Sequence, residues 1–269
     1  MSDERSSALN LIAVDVGNSR AKWGRFENGQ LRETASLPLG DLAAADAQFA
    51  TWNINSALVT PHSSLSWAIA SVNPDGSRPI VDWIKARGFQ SAVELDDPSL
   101  LPLCVELERP AAVGIDRLLD AVAVNARRPA GRAAVIVDAG SAITVDAVSA
   151  GGAFVGGTIA AGLSLSARAL HEFTYWLPLL DVRSAPAAVG KSTPDAMQSG
   201  LFWGTVGAVK ELVARVAASL GGDPVVYVTG GDGERLAPHL NRPVELVADL
   251  TLHGICLAAQ HVKPTRFGR

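Results

Sequence analysis

The 269-residue chain is poor in cysteine, with only Cys104 and Cys256. They lie far apart and form no C-x-x-C, which excludes a disulfide framework or zinc ribbon and predicts two reduced, buried thiols. Histidine is also scarce: residues 62, 171, 239, 253 and 261 are scattered, with no H-E-x-x-H pattern, so no zinc site is expected. No excess of basic residues is present; the formal charge is −4, which argues against nucleic acid and anionic membrane as partners. No apolar run is long enough to span a bilayer, because charges such as Asp138 and Asp146 interrupt the richest stretches. The opening "MSDERSSALN" lacks the basic and apolar regions of a signal peptide, which predicts a cytoplasmic protein. What remains is a chain with 48% hydrophobic residues, long enough for one large domain or two ordinary ones. The expected class is a soluble enzyme with small ligands.

Two segments share one grammar. "LIAVDVGNSRAKWGRFENGQL" reads as strand, turn, strand, turn, and "AAVIVDAGSAITVDAVSAGGAFVGG" repeats it. Strands and helices alternate after each hairpin, with helices predicted over "GDLAAADAQFATWN", "VGIDRLLDAVAVNARR", "LSLSARALHEF" and residues 193–220. The pattern predicts two α/β domains of similar build, residues 9–129 and 130–262, with a cleft between them. The polar break "RRPAGR" marks the boundary.

Each hairpin carries Asp-x-Gly followed by a polar and a small residue. Glycine permits close backbone approach, Asn and Ser side chains and N–H groups suit phosphate oxygens, and each Asp can hold a cation or its water. Lys22, two strand steps past Arg20, is within reach of the same phosphates. Alone, either hairpin reads equally as an Asx-type turn between strands. The repetition favours a polyphosphate held between opposing hairpins.

"GKST" at residues 190–193 resembles the end of a P-loop, but the first position of that motif is Ala185, followed by Pro186, and no strand is predicted before it. The segment predicts a helix start, with Thr193 as N-cap, Pro194 at N1 and Asp195 in the first turn.

"DVGNSRAKWG", "VGIDR", "VDAGSAIT", "GGTIAAGLSL", "GKSTPDAMQSG" and "VTGGDGE", in this order, resemble the type III pantothenate kinases of the acetate-and-sugar-kinase/Hsp70/actin superfamily. The resemblance runs from about Leu11 to His261. It implies duplicated ribonuclease-H-like (actin-like ATPase) domains, a homodimer, and transfer of the ATP γ-phosphoryl group to the 4′-hydroxyl of pantothenate, the first step towards coenzyme A. It further implies that Asp15, Val16, Gly17, Asn18, Ser19, Arg20, Ala21 and Lys22 bind the ATP phosphates and that Ser141 also contacts ATP. Asp138 matches the position of a monovalent cation, K+ or NH4+, and Mg2+ accompanies ATP. Gly114, Ile115, Asp116 and Arg117 match the pantothenate motif, with Asp116 as catalytic base; Leu107 and Thr193 match further pantothenate contacts. "VTGGDGE" resembles the adenosine segment, and "ASVNP" matches a segment read as structural.

Elementary chemistry agrees with this reading of "GIDR". At a helix start, free N–H groups and the dipole favour an anion, and Arg117 can pair with a carboxylate. Taken alone, the tetrapeptide also reads as an acidic first turn on a solvated face. Departures from the family pattern are Leu107 where Tyr is common, Ser19 and Ser141 where Thr is usual, and Ala161 for Pro. A kinase-like accessory factor in transcription regulation, or another superfamily ATPase, are the competing readings. Trp176 and Trp203 are expected in cores or at the dimer interface.

Overall fold

A computed structural model describes residues 10–52, 54, 65–89 and 91–266. The N-terminal segment 1–9 and His62 lie outside the described residues.

The chain forms two sheets of one design. In the first half, β1 (Asn10–Val16), β2 (Arg20–Glu27) and β3 (Gln30–Pro38) form an antiparallel meander, followed by α1 (Leu42–Thr51), β4 (Leu65–Ser71), α2 (Pro74–Ala86), β5 (Ser91–Leu95) and α3 (Ile115–Asn125). The second half repeats the plan with β6 (Ala134–Ala139), β7 (Ala142–Val148) and β8 (Phe154–Ala161). These are followed by α4 (Leu163–Glu172), α5 (Thr193–Leu220), β9 (Val225–Thr229), α6 (Gly233–Leu236), β10 (Glu245–Leu246) and α7 (Leu250–Ala259). The strand orders are β5-β4-β1-β2-β3 and β10-β9-β6-β7-β8, the same succession twice. This is a duplicated ribonuclease-H-like fold. A short β11 (Thr265–Arg266), not expected from the sequence, adds antiparallel to β5 and makes the first sheet six-stranded.

Grouped by contacts, the chain has two units. One holds the described residues up to Leu103, Arg109–Ala123 and those from Thr251 onward; the other holds Cys104–Glu108 and Val124–Leu250. In the first unit β1 reads as a continuous apolar run because it is central, with β2 on one side and β4 on the other. Its core is aromatic: Trp23, Trp67, Trp83 and Phe49 are buried and mutually packed, with Trp67 and Phe49 stacked at 5.5 Å. Such pairs add roughly 0.5–1.5 kcal/mol beyond their area burial. Helices α3 and α7 approach so closely that a Cβ on Gly254 would fall 2.1 Å from the Leu119 carbonyl oxygen. In the second unit the core is aliphatic, with Val135, Val137, Val145, Val226 and Val228 of the sheet against Leu201, Phe202, Val206, Val209 and Val213 of α5.

Several local expectations need correction. Helix α2 begins at Pro74, with "PDGS" as its first turn; Asn73 Oδ1 accepts from Gly76 N as N-cap. The N-cap of α5 is Ser192, whose hydroxyl accepts from Asp195 N at 3.3 Å; Thr193 and Pro194 follow inside the helix. Both residue types cap helices, serine somewhat better than threonine, and the extended backbone of residue 192 makes it the cap. Cys104 is exposed and only Cys256 is buried. Trp176 lies outside the core, 84% exposed beside Phe173 and Tyr175, which removes one of its two expected places. Trp203 packs against the core and its indole N–H donates to the Pro186 carbonyl oxygen at 3.1 Å.

Candidate active site

In the first unit, the β1–β2 turn is closed by a 3.1 Å hydrogen bond from Gly17 N to the Arg20 carbonyl oxygen. Val16 and Ala21 are buried and anchor the hairpin, whereas Asn18, Ser19 and Arg20 are exposed at its tip. Asp15 and Lys22 are direct cross-strand partners, so both side chains leave the same face of the sheet, the charged neighbours of one position. The Arg20 guanidinium is engaged with β3, where Nε donates to Ser36 Oγ at 2.8 Å. Arg20, two residues before Lys22 on the same strand, leaves the same face but is tied to β3, so Lys22 is the basic side chain directly opposite Asp15.

The same unit brings "GIDR" to this hairpin. Val72 N donates to the Val16 carbonyl oxygen at 3.2 Å, and the Val72 side chain would touch a Cβ on Gly114 at 3.6 Å. The segment "ASVNP" is thus the spacer between the two motifs. Ile115 is buried and seats the first turn of α3, leaving Asp116 and Arg117 half-buried. Asp116 Oδ1 accepts from Arg117 N at 2.9 Å, and a Cβ on Gly114 would fall 2.5 Å from that same oxygen. Glycine at 114 is what lets the carboxylate occupy this position.

In the second unit, Asp138 is the penultimate residue of β6 and the turn is closed by Gly140 N donating to the Ala142 carbonyl oxygen at 3.0 Å. Ser141 is exposed at the tip. The start of α4 meets this turn, because Gly162 N donates to the Ser141 carbonyl oxygen at 2.9 Å and a Cβ on Gly162 would fall 2.2 Å from the Gly140 oxygen. "VTGGDGE" meets it as well: Asp232 N donates to the Ala139 carbonyl oxygen at 2.9 Å. Gly230, at φ +87°, passes over Asp138, and a Cβ there would lie 2.3 Å from Asp138 Oδ1. Close approach and the left-handed backbone both require glycine at 230.

Leu107 belongs to this unit: residues 104–108 add to β8, with Val105 bridging Phe154, and Leu107 lies beside Gly156. Thr193 is exposed in the first turn of α5. The described residues between α4 and α5 form neither strand nor helix, so "GKST" has no strand before it, and Lys191 is exposed. A P-loop is excluded.

Sequence reasoning missed Gly162, Thr144 and Thr229. Thr144 is the cross-strand partner of Asp138, and Thr229 is in register with Asp138 from the parallel strand β9. The Thr144 hydroxyl is buried without a hydrogen-bond partner among the described residues. Strand alternation counted from Asp138 around the turn identifies Thr144; no local signal identifies Thr229. Among the described residues no group of three His, Cys, Asp or Glu side chains is positioned to hold a metal ion, and no helix is long and apolar enough to cross a membrane.

Residues 11–215 match the family model described as type III pantothenate kinase. A type III pantothenate kinase of Dehalococcoides mccartyi (strain CBDB1) is 33% identical over 94% of this chain and 96% of its own length. One from Paramagnetospirillum magneticum (strain AMB-1) is 40% identical over 91% and 95%. Among solved structures, the activator of the 2-hydroxyisocaproyl-CoA dehydratase from Clostridium difficile with bound ADPNP is similar in fold. It superposes with a TM-score of 0.51 at 10% identity, covering 93% of this chain and 92% of that one.

Proposed function

This chain belongs to the type III pantothenate kinase family, and we propose that it transfers the γ-phosphoryl group of ATP to the 4′-hydroxyl of pantothenate, giving 4′-phosphopantothenate for coenzyme A synthesis. The observation that carries this reading is the junction through Val72, which sets the phosphate hairpin beside the "GIDR" turn within one unit. The relatives' shared name favours the kinase over an accessory factor.

ATP enters as its Mg2+ complex, a substrate. Lys22 and the N–H groups of the Gly17–Arg20 turn hold phosphate oxygens, and Asp15 orients the cation or its water. Ser141 contributes a hydroxyl to the nucleotide. Arg117 and the N-terminal turn of α3 bind the pantothenate carboxylate; Leu107 and Thr193 match further pantothenate contacts by their place in the family pattern. Asp116 accepts the proton of the attacking hydroxyl. Because transfer passes through a loose transition state, alignment of hydroxyl and phosphorus outweighs the strength of the base. The copies of the duplicated fold are residues 9–129 and 130–262, a reading supported by the repeated strand order.

A monovalent cation, K+ or NH4+, fits the second hairpin, where one carboxylate, Asp138, is flanked by the unpartnered Thr144 hydroxyl. When bound, that ion would supply a single positive charge at the Asp138 hairpin. The exposed cluster of Phe173, Tyr175 and Trp176 supports a homodimer, since apolar surface of this kind marks association sites. Placement in the cytoplasm accords with the metabolic role.

The test is ADP release with ATP, Mg2+ and pantothenate, in K+ and again in Na+. Pantothenate-dependent turnover that requires K+ is expected. Turnover without pantothenate, or none with any cation, refutes the assignment. Sedimentation at micromolar concentration should show a dimer, and a monomer there refutes that part.

A further inference from the structure

The two hairpins are copies, yet the residue that faces the aspartate differs between them. In the first sheet Asp15 stands between Lys22 on β2 and Ala70 on β4. In the second, Asp138 stands between Thr144 on β7 and Thr229 on β9. The strand succession is the same in both sheets, so Thr144 occupies the place of Lys22 and Thr229 that of Ala70. Duplication has exchanged an ammonium group and a methyl group for two hydroxyls around an unchanged carboxylate.

The hydroxyls suit a cation. Residues directly opposed on antiparallel strands share a face with Cβ atoms about 4.5–5.5 Å apart, which sets the Thr144 and Asp138 side chains side by side on that face. That oxygen is buried and has no hydrogen-bond partner among the described residues. A buried hydroxyl without a protein partner is a group native proteins rarely leave uncompensated. Thr229 is 3% exposed, and its hydroxyl accepts from Leu250 N at 3.4 Å, which holds the side chain in a fixed rotamer. The donor set is one carboxylate with neutral oxygens, and it balances a single positive charge; Ca2+ sites gather several carboxylates, and no such cluster exists among the described residues.

We propose that the Thr144 hydroxyl, with that of Thr229, ligates the monovalent cation at Asp138, and that this ion serves the second hairpin as the Lys22 ammonium serves the first. Thr144 is then the residue that makes the chain dependent on a dissolved cation. The proposal rests on reading Asp138 as the cation position.

The test uses binding as well as turnover. Thermal denaturation of the full chain is followed against K+ concentration at constant ionic strength, with tetramethylammonium as the balancing ion, and Tl+ binding is measured by thallium NMR. For the unaltered protein a saturable rise in Tm with K+ is expected. Thr144→Val, which keeps the shape and removes the oxygen, should raise the K+ midpoint at least tenfold, and Thr144→Ser should restore it. Thr144→Lys should abolish the effect of K+ on Tm and give turnover that is the same with and without K+. A Thr144→Val midpoint equal to that of the unaltered protein overturns the proposal. If Asp138→Asn abolishes the K+ effect in that case, the cation position stands and only the role of Thr144 falls. If Asp138→Asn also leaves it intact, the cation position itself is wrong.

Discussion

The Asp120 carboxylate on α3 accepts a 2.9 Å hydrogen bond from the Thr251 hydroxyl in the first turn of α7, and Asp120 is only 1% exposed. This bond fixes the rotation of α3 one turn beyond Asp116, the side chain assigned to proton transfer. A hydrogen bond to a charged group contributes roughly 1.5–3 kcal/mol. Thr251→Val is therefore expected to lower stability by about that amount, read from the urea midpoint. An unchanged midpoint would show that the bond contributes nothing.

Gly114→Ala places a methyl carbon where Asp116 Oδ1 now lies, at 2.5 Å. The carboxylate must move, and because Gly114 stands just before Ile115, the first residue of α3, alanine replaces glycine at a cap position where glycine is preferred. Stability should fall by about 1 kcal/mol and kcat by an order of magnitude or more, since misplacement of about 1 Å can cost a hundredfold. Equal kcat in the variant would mean that the present position of Asp116 is irrelevant.

Asp116→Asn keeps the size of the side chain and removes its basicity. A positioned base contributes typically a factor of about 10²–10⁴. Transfer should fall within that range, with ATP affinity by calorimetry retained. Full turnover would take Asp116 out of the mechanism.

Lys191 is exposed in the irregular segment before α5. Lys191→Ala should leave ATP affinity within a factor of about two, the size of effect expected when an exposed side chain is changed away from any contact. Loss of nucleotide binding would return "GKST" to the phosphate site.

Burial pushes the Cys256 thiol from 9.0 up to about 11. The folded state therefore holds this proton more tightly than the unfolded chain. The associated stability is complete below pH 9 and declines as the pH rises towards 11, by about 1.4 kcal/mol per unit. Cys256→Ala should flatten the dependence in that window. Iodoacetamide should modify the exposed Cys104 first.

The repeated hairpins and the bounds of α5 at residues 193–220 were legible because each depends on short-range signals: alternation, turn residues, a cap and a proline. Where one of two adjacent caps must act, composition is silent, and the backbone chose Ser192 over Thr193. The candidate site was legible only within each motif. That "ASVNP" joins the hairpin to "GIDR" through Val72, that Gly162 backs the second turn, and that Thr229 flanks Asp138 are consequences of which strands become neighbours. Nothing local to those residues encodes the parallel pairings. Strand β11 escaped for the same reason, being two residues whose only cause is the open edge of β5.

That edge strand, with α7, has a consequence for the order in which the molecule is made. The unit containing Val124–Leu250 draws on an almost unbroken stretch of chain, but the unit that opens the sequence needs the residues from Thr251 onward. Its helix α3 is covered by α7 and its sheet is finished by β11. Domains usually fold from the N-terminus first as they leave the ribosome; here the half translated first is the half completed last. Until then β5 waits as an open edge, and the nascent chain carries the Asp15–Lys22 hairpin on an unfinished sheet.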